Sequence, residues 1–459
     1  KTIKIIPAIN TKSCVSSLTD LTLKIFFQKC NFRYFLRYSG MMIRKRFLLF
    51  FTLLFSSGGI FSQTGVFWFG DSASTSVNNR IISIKENSDG NLYLLGKASD
   101  SDYKNIHPYF AVCDTKGNLR SQKTVATTND FFELNNFVIC EENKIRIFGT
   151  EKVDNRLTIS MNTINPQGEM QSVDAMMTTT TTLTGDVCQL NDETAIFAKT
   201  VQSSSTGKFH ISIYKYNIHN DQQIWYKTLS AEGNEEASKI YQMKDGSFIL
   251  LAKLYNDELS SYTPLIYKIS SEGEMIWKKN PEAYSTFAGQ GIAEGKNKSL
   301  IYCCSTGEEK DISGTTKMLM LDSNGSTIST NEISAIKSNG ILALNNGNFL
   351  LYGSHVQQAG MYIITKACYK IYDPGLKKIK EDEMGMFDGP DAYLPSLAIS
   401  AWPTASDFLN AIQLKDGRIA CVGRVYMPDE TSPDKIIFSD RINKAFLVLM
   451  DVNGKFREK

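Results

Sequence analysis

A pattern of about fifty residues recurs along most of this chain, and a repeat of that length restricts the fold more than any other feature. In each copy an apolar, strand-like run meets a turn dipeptide and a second apolar run follows. A variable loop, a third run, a second turn at glycine and a short fourth run complete the unit. The clearest copy is the fourth. It reads residues 239–243 (KIYQM), a turn at Asp245-Gly246, residues 247–252 (SFILLA), residues 264–269 (PLIYKI), a turn at Glu272-Gly273 and residues 274–278 (EMIWK). The first turn falls at Asp89-Gly90, Asn143-Lys144, Asp192-Glu193, Asp245-Gly246, Asn297-Lys298, Asn346-Gly347 and Asp416-Gly417. The second falls at Lys116-Gly117, Gln167-Gly168, Asn220-Asp221, Glu272-Gly273, Asn324-Gly325, Pro374-Gly375 and Asn453-Gly454. Asp-Gly and Asn-Gly between alternating apolar runs signal hairpins, because tight hairpin turns require positive φ. Seven copies of four short strands predict an all-β, seven-bladed β-propeller of antiparallel blades. A string of separate β domains would need linkers rich in Pro, Gly or Ser, and none separates the copies.

A propeller must also hide its open edges. The last copy ends at residues 453–459 (NGKFREK), so its fourth strand is stunted. Residues 65–70 (GVFWFG) precede the first complete copy and have the look of an orphan fourth strand. The expectation is that residues 66–69 pair with residues 445–450 of the last copy and close the ring.

The segment before the repeats reads as a leader. Met41-Met42 is followed by the basic run Ile43-Arg44-Lys45-Arg46, a nine-residue run at 47–55 (FLLFFTLLF) that is apolar but for Thr52, and a small, polar stretch ending Ser62-Gln63. That is the layout of a secretory signal peptide. The apolar run falls short of the ~20 residues needed to span a bilayer. The expected division is 1–40 upstream or mis-started sequence, 41–62 signal peptide and 63–459 the propeller. A cytoplasmic extension on an uncleaved anchor stays open for 1–40. The expected location is secreted, periplasmic or cell-surface, with no membrane span in the mature chain. Residues 1–62 hold ten Lys/Arg and one Asp, so the net charge of +2 for the whole chain becomes −7 without them. A mildly acidic chain has no electrostatic reason to bind nucleic acid. Beyond the leader lie seven cysteines: Cys113, Cys140, Cys188, Cys303, Cys304, Cys368 and Cys421. An odd, scattered set embedded in apolar runs reads as free thiols acting as small core residues.

Residues 266–277 (IYKISSEGEMIW) place an acid, then Gly, then Trp four residues after that Gly. This stretch resembles PQQ-like propeller repeats, and residues 215–225 are similar with Asp221 in the glycine position. Apolar runs ending in Gly after the first turn (Leu95-Gly96, Tyr352-Gly353, Val422-Gly423) are similar to delta-60-type repeats of exported bacterial proteins. The Ser-Gln end of the leader resembles exported proteins of Bacteroidota. These resemblances imply architecture and not activity.

Motifs that carry chemistry are mostly missing. Cys303-Cys304 resembles the vicinal pair of some quinoprotein dehydrogenases, but it sits in a strand run and reads as packing. The four histidines, His107, His210, His219 and His355, have no metal-ligand spacing. No phosphate-binding glycine loop and no nucleophile elbow appears, and no cofactor or metal is expected. Strand alternation puts both short turns of every blade on one face and the longer connections on the other. Binding residues favour such loops. The longest lie at 383–404 and 425–444 and supply the candidate ligand-binding residues Phe387, Asp388, Asp391, Tyr393, Trp402, Tyr426, Asp429 and Arg441. The expected function is a non-catalytic binding or scaffold propeller that recognises a polysaccharide or a protein. The alternative is a glycan-cleaving propeller with facing carboxylates at the channel mouth.

Overall fold

The computed structural model describes residues 65–455, less 70–77, 100–105, 126, 128–130, 154–155, 177–181, 192, 221, 230–233, 257–260, 282–286, 307–313, 360–361, 384–405 and 429–440. Twenty-eight strands form seven four-stranded antiparallel blades. A lone strand, β1 (Gly65–Phe69), comes first. Blade 1 is β2 (Asn78–Glu86), β3 (Leu92–Ser99), β4 (His107–Cys113) and β5 (Leu119–Thr124). Blade 2 is β6 (Phe131–Ile139), β7 (Ile145–Val153), β8 (Arg156–Ile164) and β9 (Met170–Met176). Blade 3 is β10 (Thr182–Gln189), β11 (Thr194–Gln202), β12 (Phe209–Asn217) and β13 (Gln222–Thr228). Blade 4 is β14 (Asn234–Gln242), β15 (Phe248–Asn256), β16 (Ser261–Ile269) and β17 (Met275–Lys279). Blade 5 is β18 (Phe287–Glu294), β19 (Leu300–Thr306), β20 (Thr316–Leu321) and β21 (Thr327–Ile333). Blade 6 is β22 (Ile336–Ala343), β23 (Phe349–Ala359), β24 (Tyr362–Tyr372) and β25 (Lys378–Glu383). Blade 7 is β26 (Ser406–Gln413), β27 (Ile419–Pro428) and β28 (Arg441–Met450), completed by β1.

The expected clasp is present. β1 runs antiparallel to β28, with Gly65 opposite Leu449 and Phe69 opposite Ala445. Phe69 is buried in a core shared by blades 7 and 1, with Ile81, Leu94 and Leu447 among its members. β1 also behaves like the fourth strands of other blades. The Phe67 ring covers Gly117 in the second turn of blade 1, where an added Cβ would lie 2.3 Å from the ring. Trp225 covers Gly273 and Trp277 covers Gly325 in the same way, each from the fourth strand of one blade onto the second turn of the next. Trp277 Nε1 also donates to Ser323 O (3.1 Å). The glycine-and-tryptophan pattern of the sequence is therefore a docking device between blades.

Burial peaks in the two middle strands of a blade, while the first strands at the axis are only half-buried. β3 and β4, sandwiched between neighbouring blades, are almost wholly buried, whereas β5, β17 and β25 are largely exposed. This is why second and third runs read as continuous apolar stretches and fourth runs do not. Every first strand carries a β-bulge, for example between Ile81 and Ser83, Ser338 and Gly340, and Phe408 and Asn410. The bulge presses a carbonyl onto the second strand. A Cβ at Gly423 would lie 1.8 Å from Asp407 O, and one at Gly353 would lie 2.0 Å from Lys337 O. This close approach explains the glycine that ends the second run.

Two turns sit one residue from the expected position. In blade 2 the left-handed residues are Glu142 and Asn143, not Lys144, within the short 3-10 turn Glu141–Asn143. In blade 6 Leu376, not Gly375, has positive φ, because the turn is set by Asp373, whose carboxylate accepts from Gly375 N and Lys377 N. Asp114, Asn165, Asp322 and Asp451 cap their own second turns alike, so a polar residue at the turn's start, rather than the glycine, fixes the register.

Candidate functional site

Of the candidate loop residues, Phe387, Asp388, Asp391, Tyr393, Trp402 and Asp429 lie outside the described residues. Tyr426 and Arg441 fall in the blade 7 hairpin, Tyr426 in β27 opposite Asn443 and Arg441 in β28 opposite Pro428. Both lie at the open end of that hairpin. Blade 6 reaches out beside it through its longest hairpin, β23 to β24.

Among the described residues a concave site lies on the ring axis, and sequence reasoning did not name it. A channel of about 680 Å³ is lined by the first strands of all seven blades. It opens on the short-turn face into a vestibule of about 890 Å³ between blades 1, 2, 3 and 7. The two cavities share Ile84, Lys85, Gln189 and Ile412.

At the level of the bulges a circuit of hydrogen bonds runs once around the channel. Ser83 Oγ of blade 1 donates to Asn136 Oδ1 of blade 2 (2.7 Å), and Asn136 Nδ2 donates to Asp186 Oδ1 of blade 3 (3.0 Å). Asp186 Oδ2 accepts the Ile240 N–H of blade 4 (3.1 Å). Lys239 Nζ of blade 4 donates to Gln290 O of blade 5 (3.2 Å) and Asn339 O of blade 6 (2.8 Å). Asn339 Nδ2 donates to Phe408 O of blade 7 (2.9 Å), and Asn410 Nδ2 donates to Ile82 O of blade 1 (3.3 Å). A bulge turns successive side chains off the strand's alternation, which is how polar residues of the first strands reach sideways to the next blade.

A second set of cross-blade bonds sits at the strand ends. The Gln189 side chain accepts from Ile139 N (2.9 Å) and donates to Ile139 O (2.6 Å). Glu86 accepts from Lys415 N (2.8 Å), Glu294 from Lys244 N (2.7 Å) and Gln413 from Asn345 N (2.6 Å). The signal was in the sequence: Glu or Gln stands three residues before the first turn residue in these copies.

Burial governs the charges here. It pushes the Asp186 carboxyl up, against the hydrogen bonds from Asn136, Ile240 and Val187. It pulls the Lys239 ammonium down, against attraction from Asp186. Lys85 is likewise held below the ordinary lysine range by burial, opposed by Cys188, Asp186 and Cys140. Tyr241 is pushed well up by burial. The seven cysteines beyond the leader form no disulfide, as expected; Cys113, Cys303, Cys304, Cys368 and Cys421 are buried, and Cys140 and Cys188 are half-buried. Cys303 and Cys304 belong to different inter-blade cores, which settles their packing role. No group of His, Cys, Asp and Glu among the described residues has the arrangement of a metal site.

Neither a family model nor a curated protein matches the chain. Similar solved structures include puromycin hydrolase, with 11% identity over 83% of this chain and 54% of that one at TM-score 0.50. The Dos1 propeller has 10% identity over 87% of this chain and 97% of that one at TM-score 0.47. The NanB sialidase of Streptococcus pneumoniae has 10% identity over 84% and 70% at TM-score 0.45. Likeness at this level of identity shows a common propeller fold and nothing of activity.

Proposed function

We propose that this chain is an exported, non-catalytic propeller that holds a polysaccharide or a protein partner on its long-connection face. The observation that carries the reading is the use of the axial carboxylates. Asp186, Glu86 and Glu294 each accept backbone N–H groups of a neighbouring blade. General acid–base or nucleophilic work needs carboxyl groups aimed at a substrate, and these three are aimed at the scaffold. The repeat supports kinship with PQQ-like and delta-60-type units, since the residues of that pattern are those that dock one blade on the next. The leader at 41–62 supports export, and the Ser-Gln end supports a Bacteroidota-type source. Among the described residues no helix is long and apolar enough to cross a membrane.

The test has two arms. Residues 384–405 are replaced by a short Gly-Ser linker, and binding to an array of bacterial and plant polysaccharides is compared with the unaltered protein. Loss of a bound glycan with an unchanged melting temperature supports the reading. Retention of every bound glycan removes the long-connection face from consideration. Fractionation and N-terminal sequencing test the rest: protein outside the cytoplasm beginning near Gln63 is expected, and one beginning at or before Met42 contradicts export by this leader.

A further inference from the structure

Lys85 breaks the symmetry of the repeat. One residue before the end of the first strand, blades 2 to 7 carry Val138, Cys188, Tyr241, Ala293, Leu342 and Ile412. Only blade 1 places a cation there. The side chain is half-buried and lines both the channel and the vestibule. Its Nζ lies 5.4 Å from the centroid of the Phe137 ring, and it donates no hydrogen bond to any described residue. The other axial lysines differ. Lys239 is anchored on two carbonyls, and Lys415 on the carbonyls of Asn87 (2.7 Å) and Ser88 (3.1 Å). The acceptor side chains that line the channel and vestibule with it hold other groups: Asp186 takes three donors, Gln189 the Ile139 backbone and Glu86 the Lys415 N–H. A partly buried cation gains from an acceptor, and the vestibule that Lys85 lines is the place from which a ligand can offer one.

We propose that the floor of the vestibule binds a small hydroxylated carboxylate of the uronic-acid class, with Lys85 as its counter-ion. A carboxylate supplies both the missing acceptor and the missing charge, and charge-assisted hydrogen bonds are the stronger ones. The rim argues for one carboxylate and no more. Glu86, Asp89 and Glu142 outnumber Lys415 there, so a polyanion meets repulsion on the way in. The same rim, with Asn143 and Gln413, offers acceptors for sugar hydroxyls. A volume of about 890 Å³ lies within the range of small-ligand sites. Burial, which holds Lys85 below the ordinary lysine range, also strengthens its pairing with an anion. The site lies on the face opposite the long connections, so it stands whether or not those bind a partner.

The experiment is calorimetric titration of the protein with D-glucuronate, its neutral methyl ester, D-glucose and inorganic phosphate, repeated on Lys85→Met and Lys85→Arg. Glucuronate should bind the unaltered protein, with the ester and glucose weaker by roughly ten- to a hundredfold. Lys85→Met should lose the same factor, and Lys85→Arg should retain most of the binding. Glucuronate should also protect Lys85 from acetylation by acetic anhydride, read by mass spectrometry on the unaltered protein, a result that needs no variant to fold. No heat of binding with glucuronate at about 10 mM, equal binding of the ester, preference for phosphate, unchanged affinity in Lys85→Met or an unprotected Lys85 would each overturn the assignment.

Discussion

Phe69→Ala tests the clasp at its tightest point. Phe69 is 3% exposed and lies among residues of blades 7 and 1, although more than 370 residues separate it from its β28 partner Ala445. Truncating a buried phenylalanine costs about 3–5 kcal/mol, partly lost transfer energy and partly the cavity left behind. The side chain is held by two blades whose strands are already fixed, so the hole cannot close by local collapse and the upper half of that range applies. Per kcal/mol, a chain of this size shifts its melting temperature less than a small domain does, by roughly 1–2 °C. The expected drop is therefore about 4–10 °C, with the whole molecule melting earlier. The control is Ile328→Ala on the outer strand of blade 5, 60% exposed, where a change within about 0.5 kcal/mol is expected. Thermal unfolding followed by circular dichroism decides between them. If Phe69→Ala shifts the midpoint no further than Ile328→Ala, β1 is not holding the ring.

Asp186→Ala should cost about 3 kcal/mol, because Asn136 Nδ2, Val187 N and Ile240 N all lose their acceptor at once; a denaturant midpoint equal to that of the unaltered protein would refute the hydrogen-bond circuit. Asp186→Asn keeps an acceptor and should cost clearly less. Thiol titration of residues 63–459 under denaturing, non-reducing conditions should find all seven cysteines, and three disulfides would contradict the fold. In the native protein Cys140 should react first, since burial pushes Cys188 up to about 11 and Cys113 and Cys303 up to about 12, leaving little thiolate at neutral pH; equal rates for all seven would refute this.

The ring was legible because its signals are local. Asp-Gly and Asn-Gly pairs such as Asp245-Gly246 mark hairpins within a few residues, and the fifty-residue period multiplies the signal seven times. Even the clasp could be read, since residues 65–70 are apolar, aromatic and unassigned. What failed was register at turns lacking glycine in the usual place. Asn143 and Leu376 adopt the left-handed conformation themselves, and the side chain that fixes the second turn of blade 6 is Asp373, three residues earlier. The axial site was invisible for a different reason. Lys85, Asp186 and Lys239 are separated by fifty or more residues and look like ordinary polar positions in a strand. They meet only because each first strand bulges at the axis and closure of the ring brings those bulges together. The long-connection residues Phe387, Asp388, Asp391, Tyr393, Trp402 and Asp429 were chosen from loop length and composition alone, and they lie outside the described residues.

Binding without turnover is tested by following a bound partner over time. The purified propeller is incubated with the polysaccharide or protein it captures, and the partner's chain length and new reducing or amino ends are measured as the bound fraction is tracked. A stable bound fraction and a partner of unchanged mass are expected. Progressive shortening at a rate proportional to protein concentration, abolished in a folded Asp186→Asn variant, would contradict binding without turnover and make the axial carboxylate catalytic.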